Sequence, residues 1–286
     1  PALTQFTAKG LNSYFTAYTK YVRDQVAGRD QWISLQSAAE TTLFQKTQSG
    51  GILLGRQHMM FPRTYGLVSS ETRTLPKNTA ALEALCQRYP GKVNVMLVPA
   101  ASAIYPENVP AGAPLLDEDR YLDSLSDAVQ AAGGRFVDVR QTLADHKDEY
   151  IYYRTDHHWT SLGAYYGYTG LATALGYTPV PLNDYTETVR STEFYGTVFS
   201  SSGVRWVRPD TISTYVPDDG ITVASHTYDN KGNPVEEPRQ LYDTSFLSVK
   251  DKYSMFLGGN QPLGVVKNAN NPDGPRLLII RDSYAD

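Results

Sequence analysis

Helix-like and strand-like stretches alternate from residue 76 onward, and this rhythm restricts the fold more than any other feature of the chain. Residues 77–89 carry apolar side chains at helical spacing and lead into Val93-Asn94-Val95-Met96-Leu97-Val98, which reads as a buried strand. A loop with Pro99, Pro106, Pro110 and Pro114 follows. Residues 117–132 place Leu122, Leu125 and Val129 on one helical face, Gly133-Gly134 ends that helix, and Phe136-Val137-Asp138-Val139 is the next strand. The rhythm resumes late, with strands expected at 253–257 and at 276–280, the latter strongly apolar. Helices alternating with strands in this way predict an α/β fold on a parallel sheet flanked by helices. In such sheets, sites gather at the C-terminal ends of strands.

The rest of the chain departs from that rhythm. Residues 5–27, with Leu11, Phe15, Tyr18, Val22 and Val26 in helical register, predict a helix ended by Gly28. Asp30 is placed to cap a second helix running to about Lys46 and stopped by Gly50-Gly51. Residues 1–50 therefore read as an N-terminal helical segment ahead of an α/β domain over 51–286. Ile52-Leu53-Leu54 opens a small β turn-back reaching Tyr65. Over about 190–250, short β-rich runs such as Thr211-Ile212-Ser213-Thr214-Tyr215-Val216 and Ile221-Thr222-Val223 alternate with Pro-Asp-Asp-Gly and Asp-Asn-Lys-Gly turns. That pattern predicts a small antiparallel β insertion.

Composition narrows the function classes. A chain of 286 residues with 41% hydrophobic content can bury a core, and a net charge of −4 gives no footprint for nucleic acid. Cys86 is the single cysteine, so no internal disulfide forms, and its helical context makes it a small buried apolar residue. No apolar run reaches the length of a membrane span, and the N-terminus lacks a signal-peptide pattern. The chain begins with Pro1, which fits a processed form whose export signal or membrane anchor lies outside it. The 21 tyrosines suit strands and cores, and also sites where ring faces stack on sugars.

Chemistry concentrates at Tyr152-Tyr153-Arg154-Thr155-Asp156-His157-His158-Trp159-Thr160. In an extended loop, side chains two apart face the same side. Asp156 is then placed to hold Nδ1 of His158 and leave Nε2 as a base, with His157 turned the other way as support. Thr160 is positioned to cap the helix expected from Ser161 to about Leu175. A base needs a proton to take, and Ser283, just beyond the apolar strand at 276–280, is the best source. Gly259 and Asn260, at the end of the strand expected over 253–257, are candidate oxyanion donors together with the Ser283 N–H. Ser102 has no histidine or acid beside it and reads as a turn residue; His58 and His226 have no obvious partner.

These stretches also resemble a known family. Thr155-Asp156-His157-His158-Trp159 is the signature of the DHHW family of bacterial proteins, with Trp159 in a supporting position. Phe256-Leu257-Gly258-Gly259-Asn260 and Leu278-Ile279-Ile280-Arg281-Asp282-Ser283-Tyr284 look like its later blocks. Gly51-Ile52-Leu53-Leu54-Gly55 and the stretch from Val98-Pro99-Ala100 to Ile104-Tyr105-Pro106 are similar to its earlier ones. That family is similar to the SGNH hydrolase-like proteins of alginate O-acetylation. The resemblance implies an SGNH/flavodoxin-like parallel sheet and a permuted triad in the order Asp156, His158, Ser283. It implies acyl chemistry on exported polysaccharide, an acylated glycan or acyl donor as partner, and a location outside the cytoplasmic membrane, membrane-anchored at the cell surface. No cofactor and no metal are expected. Only Tyr284, Ala285 and Asp286 follow Ser283, so the helix that would orient the serine is not in this sequence; either the native chain continues or this form is truncated, and a chain ending at Asp286 is expected to be impaired.

Two further readings stand beside the acyl hydrolase or O-acyltransferase. Asp-His-His also suits a divalent cation, which gives a metal-dependent phosphoesterase if further ligands exist; Asp138, expected at a strand end, is the nearest carboxylate of that kind. The same fold without turnover gives a glycan-binding or scaffolding protein, which the tyrosine-rich loops fit equally well.

Overall fold

The computed structural model describes residues 8–64, 74–217 and 219–285. Residues 5–7 of the expected first helix, Tyr65 at the end of the turn-back, Asp218 in the Pro-Asp-Asp-Gly turn and Asp286 lie outside the described residues.

The N-terminal segment is helical, as its spacing predicts, but the boundaries move. Helix α1 covers Ala8–Asp24 and α2 covers Arg29–Thr42. Gly28 is the left-handed residue (φ 68°) that starts α2, and Asp30 sits in its first turn without capping it. Phe15, Tyr18, Val22 and Val26 are exposed, so their helical spacing marks no core-facing stripe here. Helix α2 stops at Thr42, and Gly50 and Gly51, both at positive φ, instead turn β1 (Gln48–Ser49) back into β2 (Ile52–Leu54). Strand β2 pairs antiparallel with β3 (Met60–Pro62), Leu53 opposite Phe61, which forms the expected turn-back.

Next come α3 (Leu75–Arg88), β4 (Asn94–Val95), α4 (Ala101–Ile104), α5 (Glu118–Ala131), β5 (Arg135–Phe136), α6 (Arg140–Asp145) and α7 (Ser161–Ala174). Strands β4 and β5 are parallel, with Val95 opposite Phe136. Cys86 of α3 and Leu125 and Val129 of α5 bury against Val95, so the apolar faces read from the sequence do face a core.

The extended parallel sheet is not what forms. Parallel pairing among the described residues is confined to β4 and β5; the fold is mixed α/β with several small sheets. Residues 253–257 hold a 3-10 turn (Tyr253–Met255) and one bridge, Tyr242 to Phe256. Residues 276–280 join no ladder, and Leu277, Leu278, Ile279 and Ile280 are 57–80% exposed. An apolar run becomes a central strand only where neighbours complete its hydrogen bonds and both faces are covered, and this run has neither.

The β-rich region is antiparallel. Strands β6 (Thr188–Phe194) and β7 (Asp210–Thr214) pair with two register irregularities, with α8 (Thr197–Ser202) between them. Strand β8 (Ile221–Tyr228) lies between β9 (Pro234–Arg239) and β10 (Gly264–Asn268). The β8–β9 hairpin closes at the predicted Asp-Asn-Lys-Gly turn, where the Asp229 carboxylate accepts from Lys231 N–H and Asn233 N–H, each at 2.8 Å.

Two cores meet at adjacent tyrosines. Tyr152 and Trp159 join Phe61, Val139, Leu143 and Ile151 in one, and Tyr153 joins Phe194, Ile212 and Met255 in the other. Side chains on an extended backbone alternate faces, so this pair pins the intervening chain from both sides. No described helix is long and apolar enough to cross a membrane.

Candidate active site

The stretch from Tyr152 to Trp159 is a tight loop closed by a bridge between those two residues. Beyond the bridge, Thr160 N–H donates to the Ile151 carbonyl (2.9 Å), and the Thr160 hydroxyl accepts from Gly163 N–H (3.2 Å) as the cap of α7, the role its position predicts. Two α7 glycines make room for the loop's tryptophan. A Cβ on Gly167 would lie 2.5 Å from the Trp159 ring, and one on Gly163 would lie 2.2 Å from the Ile151 carbonyl.

Asp210, at the start of β7 and fully buried, shapes the front of this loop. Its carboxylate accepts from Thr155 N–H (2.7 Å), the Thr155 hydroxyl (2.5 Å), Arg154 N–H (3.0 Å) and the Tyr150 hydroxyl (2.5 Å). A buried carboxylate is tolerated where its lone pairs are met in this way.

At the tip, Asp156 and His158 are 2% and 4% exposed, and Asp156 Oδ1 accepts a hydrogen bond from His158 Nδ1. The pairing matches the expectation, but the backbone cause differs. The tip is bent rather than extended, and the same Oδ1 accepts the His158 backbone N–H (3.1 Å), a local aspartate turn. Asp156 Oδ2 accepts from the Thr197 N–H (2.7 Å) and the Thr197 hydroxyl (3.0 Å). Burial raises the Asp156 carboxyl, but His158 and Thr197 outweigh it and hold it at about 2.

His158 Nε2 is buried and meets no hydrogen-bond partner among the described residues. The imidazole is flanked by two rings, Tyr253 stacked at 3.8 Å and 8° and His157 at 3.9 Å and 36°. His157 thus lies against His158 rather than pointing away, with its Nδ1 at 2.8 Å from the Thr197 hydroxyl and 3.6 Å from Asp156 Oδ1. Burial and the neighbouring His158 push His157 below its ordinary value, against the carboxylates of Asp156 and Asp282.

Ser283 begins a 3-10 turn through Ala285 and is half-buried. Its neighbour Tyr284 is close to three rings of the loop, His158 at 5.2 Å, Trp159 at 5.7 Å and His157 at 6.2 Å. Asp282 Oδ1 accepts Tyr284 N–H (3.0 Å), which shapes the turn. The structure therefore brings the serine-bearing turn to the histidines without a hydrogen bond between Ser283 and Nε2. Gly259 and Asn260 follow Tyr253 on the neighbouring turn; Gly259 N–H donates to the Phe256 carbonyl (3.0 Å), and Asn260 is exposed.

The remaining candidates disperse. Asp138 is taken up by Arg140, which also reaches Asp119 and Asp123. His146 pairs with Glu149, His58 is exposed, His226 lies 3.9 Å from Glu236, and Ser102 sits in α4. Asp156, His157 and His158 remain the one group among the described residues that offers a cation three donors, all within 4.8 Å of one another. Sequence reasoning missed Gly196, Thr197, Asp210 and Tyr253; only tertiary approach brings them to the loop, and none carries a local signal.

A family model described as DHHW protein matches residues 120–286. The chain belongs to the DHHW family. Among solved structures, this DHHW protein is similar to a DHHW family protein from Eubacterium siraeum DSM 15702, with 25% identity, a TM-score of 0.60 and coverage of 78% of this chain and 73% of that one. It also shares a fold with Bacillus cereus PatB1 carrying a sulfonyl adduct (15% identity, TM-score 0.57, 77% and 74% covered). The O-acetyltransferase domain of Pseudomonas putida AlgJ matches more loosely (18% identity, TM-score 0.48, 60% and 67% covered). No curated protein matches the chain.

Proposed function

We propose that this DHHW protein is a serine-dependent acyl esterase or O-acyltransferase acting on cell-surface carbohydrate through Asp156, His158 and Ser283. The observation that carries the reading is the buried Asp156–His158 pair with Nε2 unpartnered, set beside the turn that bears Ser283. In this reading His158 Nε2 takes the Ser283 proton as Oγ bonds to the ester carbonyl carbon. The tetrahedral adduct collapses, the ester C–O bond breaks, and His158 returns the proton to the departing alcohol. Water or a sugar hydroxyl then takes the acyl group by the reverse sequence. Ser283 N–H and Asn260 are the oxyanion donors to test first, because Gly259 N–H would have to leave the Phe256 carbonyl. An acylated glycan or acyl donor is the partner, at the cell surface or outside the cell, with any membrane anchor lying beyond this chain.

Ser283→Ala is expected to abolish p-nitrophenol release from the acetyl ester and labelling by an aryl sulfonyl fluoride, with the circular dichroism spectrum unchanged. Turnover that persists would remove Ser283 from the mechanism.

A divalent cation at Asp156, His157 and His158 is the second reading, favoured by the spacing of their donors. Against it, Oδ1 and Nδ1 satisfy each other directly. Stoichiometric zinc or manganese in purified protein, lost in His157→Ala, would support it. A glycan-binding protein without turnover is the third; sugar affinity surviving Ser283→Ala with no ester cleaved would favour it.

A further inference from the structure

We infer that Tyr253 is the positioning residue for His158 and couples its imidazole to the turn bearing Ser283. The consequence for turnover rests on the acyl-transfer reading; the consequence for the imidazole does not. Parallel overlap at 3.8 Å and 8° leaves no room for the His158 ring to turn about its Cβ–Cγ bond. Asp156 fixes the Nδ1 edge, so the stacked phenol leaves Nε2 a single direction. The Tyr253 hydroxyl donates to the Tyr284 carbonyl at 3.5 Å, so one side chain contacts both the base and the residue after the serine.

Tyr253 is itself firmly seated. It opens the 3-10 turn ending at Met255, which is fully buried with Tyr153, Phe194 and Ile212. Asp243 N–H donates to the Met255 carbonyl (2.8 Å) and Leu257 N–H to the Leu241 carbonyl (2.9 Å), holding the turn on both sides. The Tyr253 ring also meets the edge of Tyr153 at 6.4 Å and 88°. An aromatic face favours a cation above it, so the stack also suits the imidazolium that forms when His158 takes a proton.

The ring and hydroxyl separate by substitution. Tyr253→Phe keeps the stack and loses the tether; Tyr253→Leu loses both. Two readouts apply: the low-field proton resonance of His158 Nδ1–H, assigned with Asp156→Asn, and kcat and KM on p-nitrophenyl acetate. Tyr253→Phe is expected to keep the resonance and lower kcat about threefold. Tyr253→Leu is expected to broaden or abolish the resonance and lower kcat on the order of 30-fold with KM within about twofold, so that Phe rescues Leu. A Leu variant with the wild-type resonance overturns the inference, as does a Phe variant no better than Leu. If Leu misfolds by circular dichroism, Tyr253→Met replaces it on the same criteria. If Ser283→Ala leaves hydrolysis intact, the acyl-transfer reading fails alone, and the resonance still decides the place of Tyr253.

Discussion

Asp156 accepts four hydrogen bonds, two from His158 and two from Thr197, and the residue beside Thr197 shows how tightly this is built. Gly196 has an ordinary φ of −83°, so no left-handed backbone calls for glycine; a Cβ there would lie 2.2 Å from Asp156 Oδ2. Gly196→Ala is expected to cost about 2–3 kcal/mol by pushing the carboxylate off its donors, measured as a lower urea midpoint with unchanged m. The acid response follows from the same residues. Asp156 and His157 are both held below their ordinary values, Asp156 at about 2. In each case the unfolded chain binds the proton more readily, so stability is full above about pH 6.5 and falls as His157 is protonated. A second loss, on the order of 2 kcal/mol, follows between about pH 4 and 2 as Asp156 is protonated. Urea unfolding at pH 8, 5.5 and 3.5 should show this order; stability rising on acidification would contradict it. The Asp156–His158 contact was legible in the sequence because it spans two residues. Thr197 and Gly196 were not, because nothing near them in the chain refers to Asp156.

The 152–159 loop is held by elements distant in sequence. Asp210 of β7 takes four donors from residues 150–155, and Met60 N–H and Phe199 N–H reach the Arg154 and Thr155 carbonyls, each at 2.9 Å. Asp210→Ala would strand those four donors in the interior. The expected cost is about 3–5 kcal/mol, read as a lower melting temperature together with loss of the His158 Nδ1–H resonance. Helices α5 and α7 were legible because the apolar face of α5 and the Thr160 cap of α7 are local signals; the cap of α5, Asp117 accepting Arg120 N–H, came only with the structure. The strand expected at 253–257 proved to be a 3-10 turn, because Tyr253 and Phe256 bury as side chains packed among Tyr153, Tyr242 and Met255 rather than through a backbone ladder.

Across the whole molecule, the parallel order suggested by the helix–strand rhythm is realised only between β4 and β5 among the described residues. Periodicity reports which residues are apolar, but a sheet also needs partners whose position depends on the full topology. The apolar 276–280 run is where this matters most, since Leu278 and Ile280 are 77% and 80% exposed. Leu278→Lys with Ile280→Lys is expected to change stability by less than about 0.5 kcal/mol while reducing self-association in light scattering. Unfolding of that double variant would instead place the run in a core. The β-rich region looks detachable on a topology diagram, yet Asp210 comes from one of its strands and is the acceptor that Arg154, Thr155 and Tyr150 share. Trimming this region to obtain a minimal scaffold would therefore remove part of the loop's foundation. Grafting Thr-Asp-His-His-Trp alone into another protein would transfer the letters without the carboxylate that shapes them.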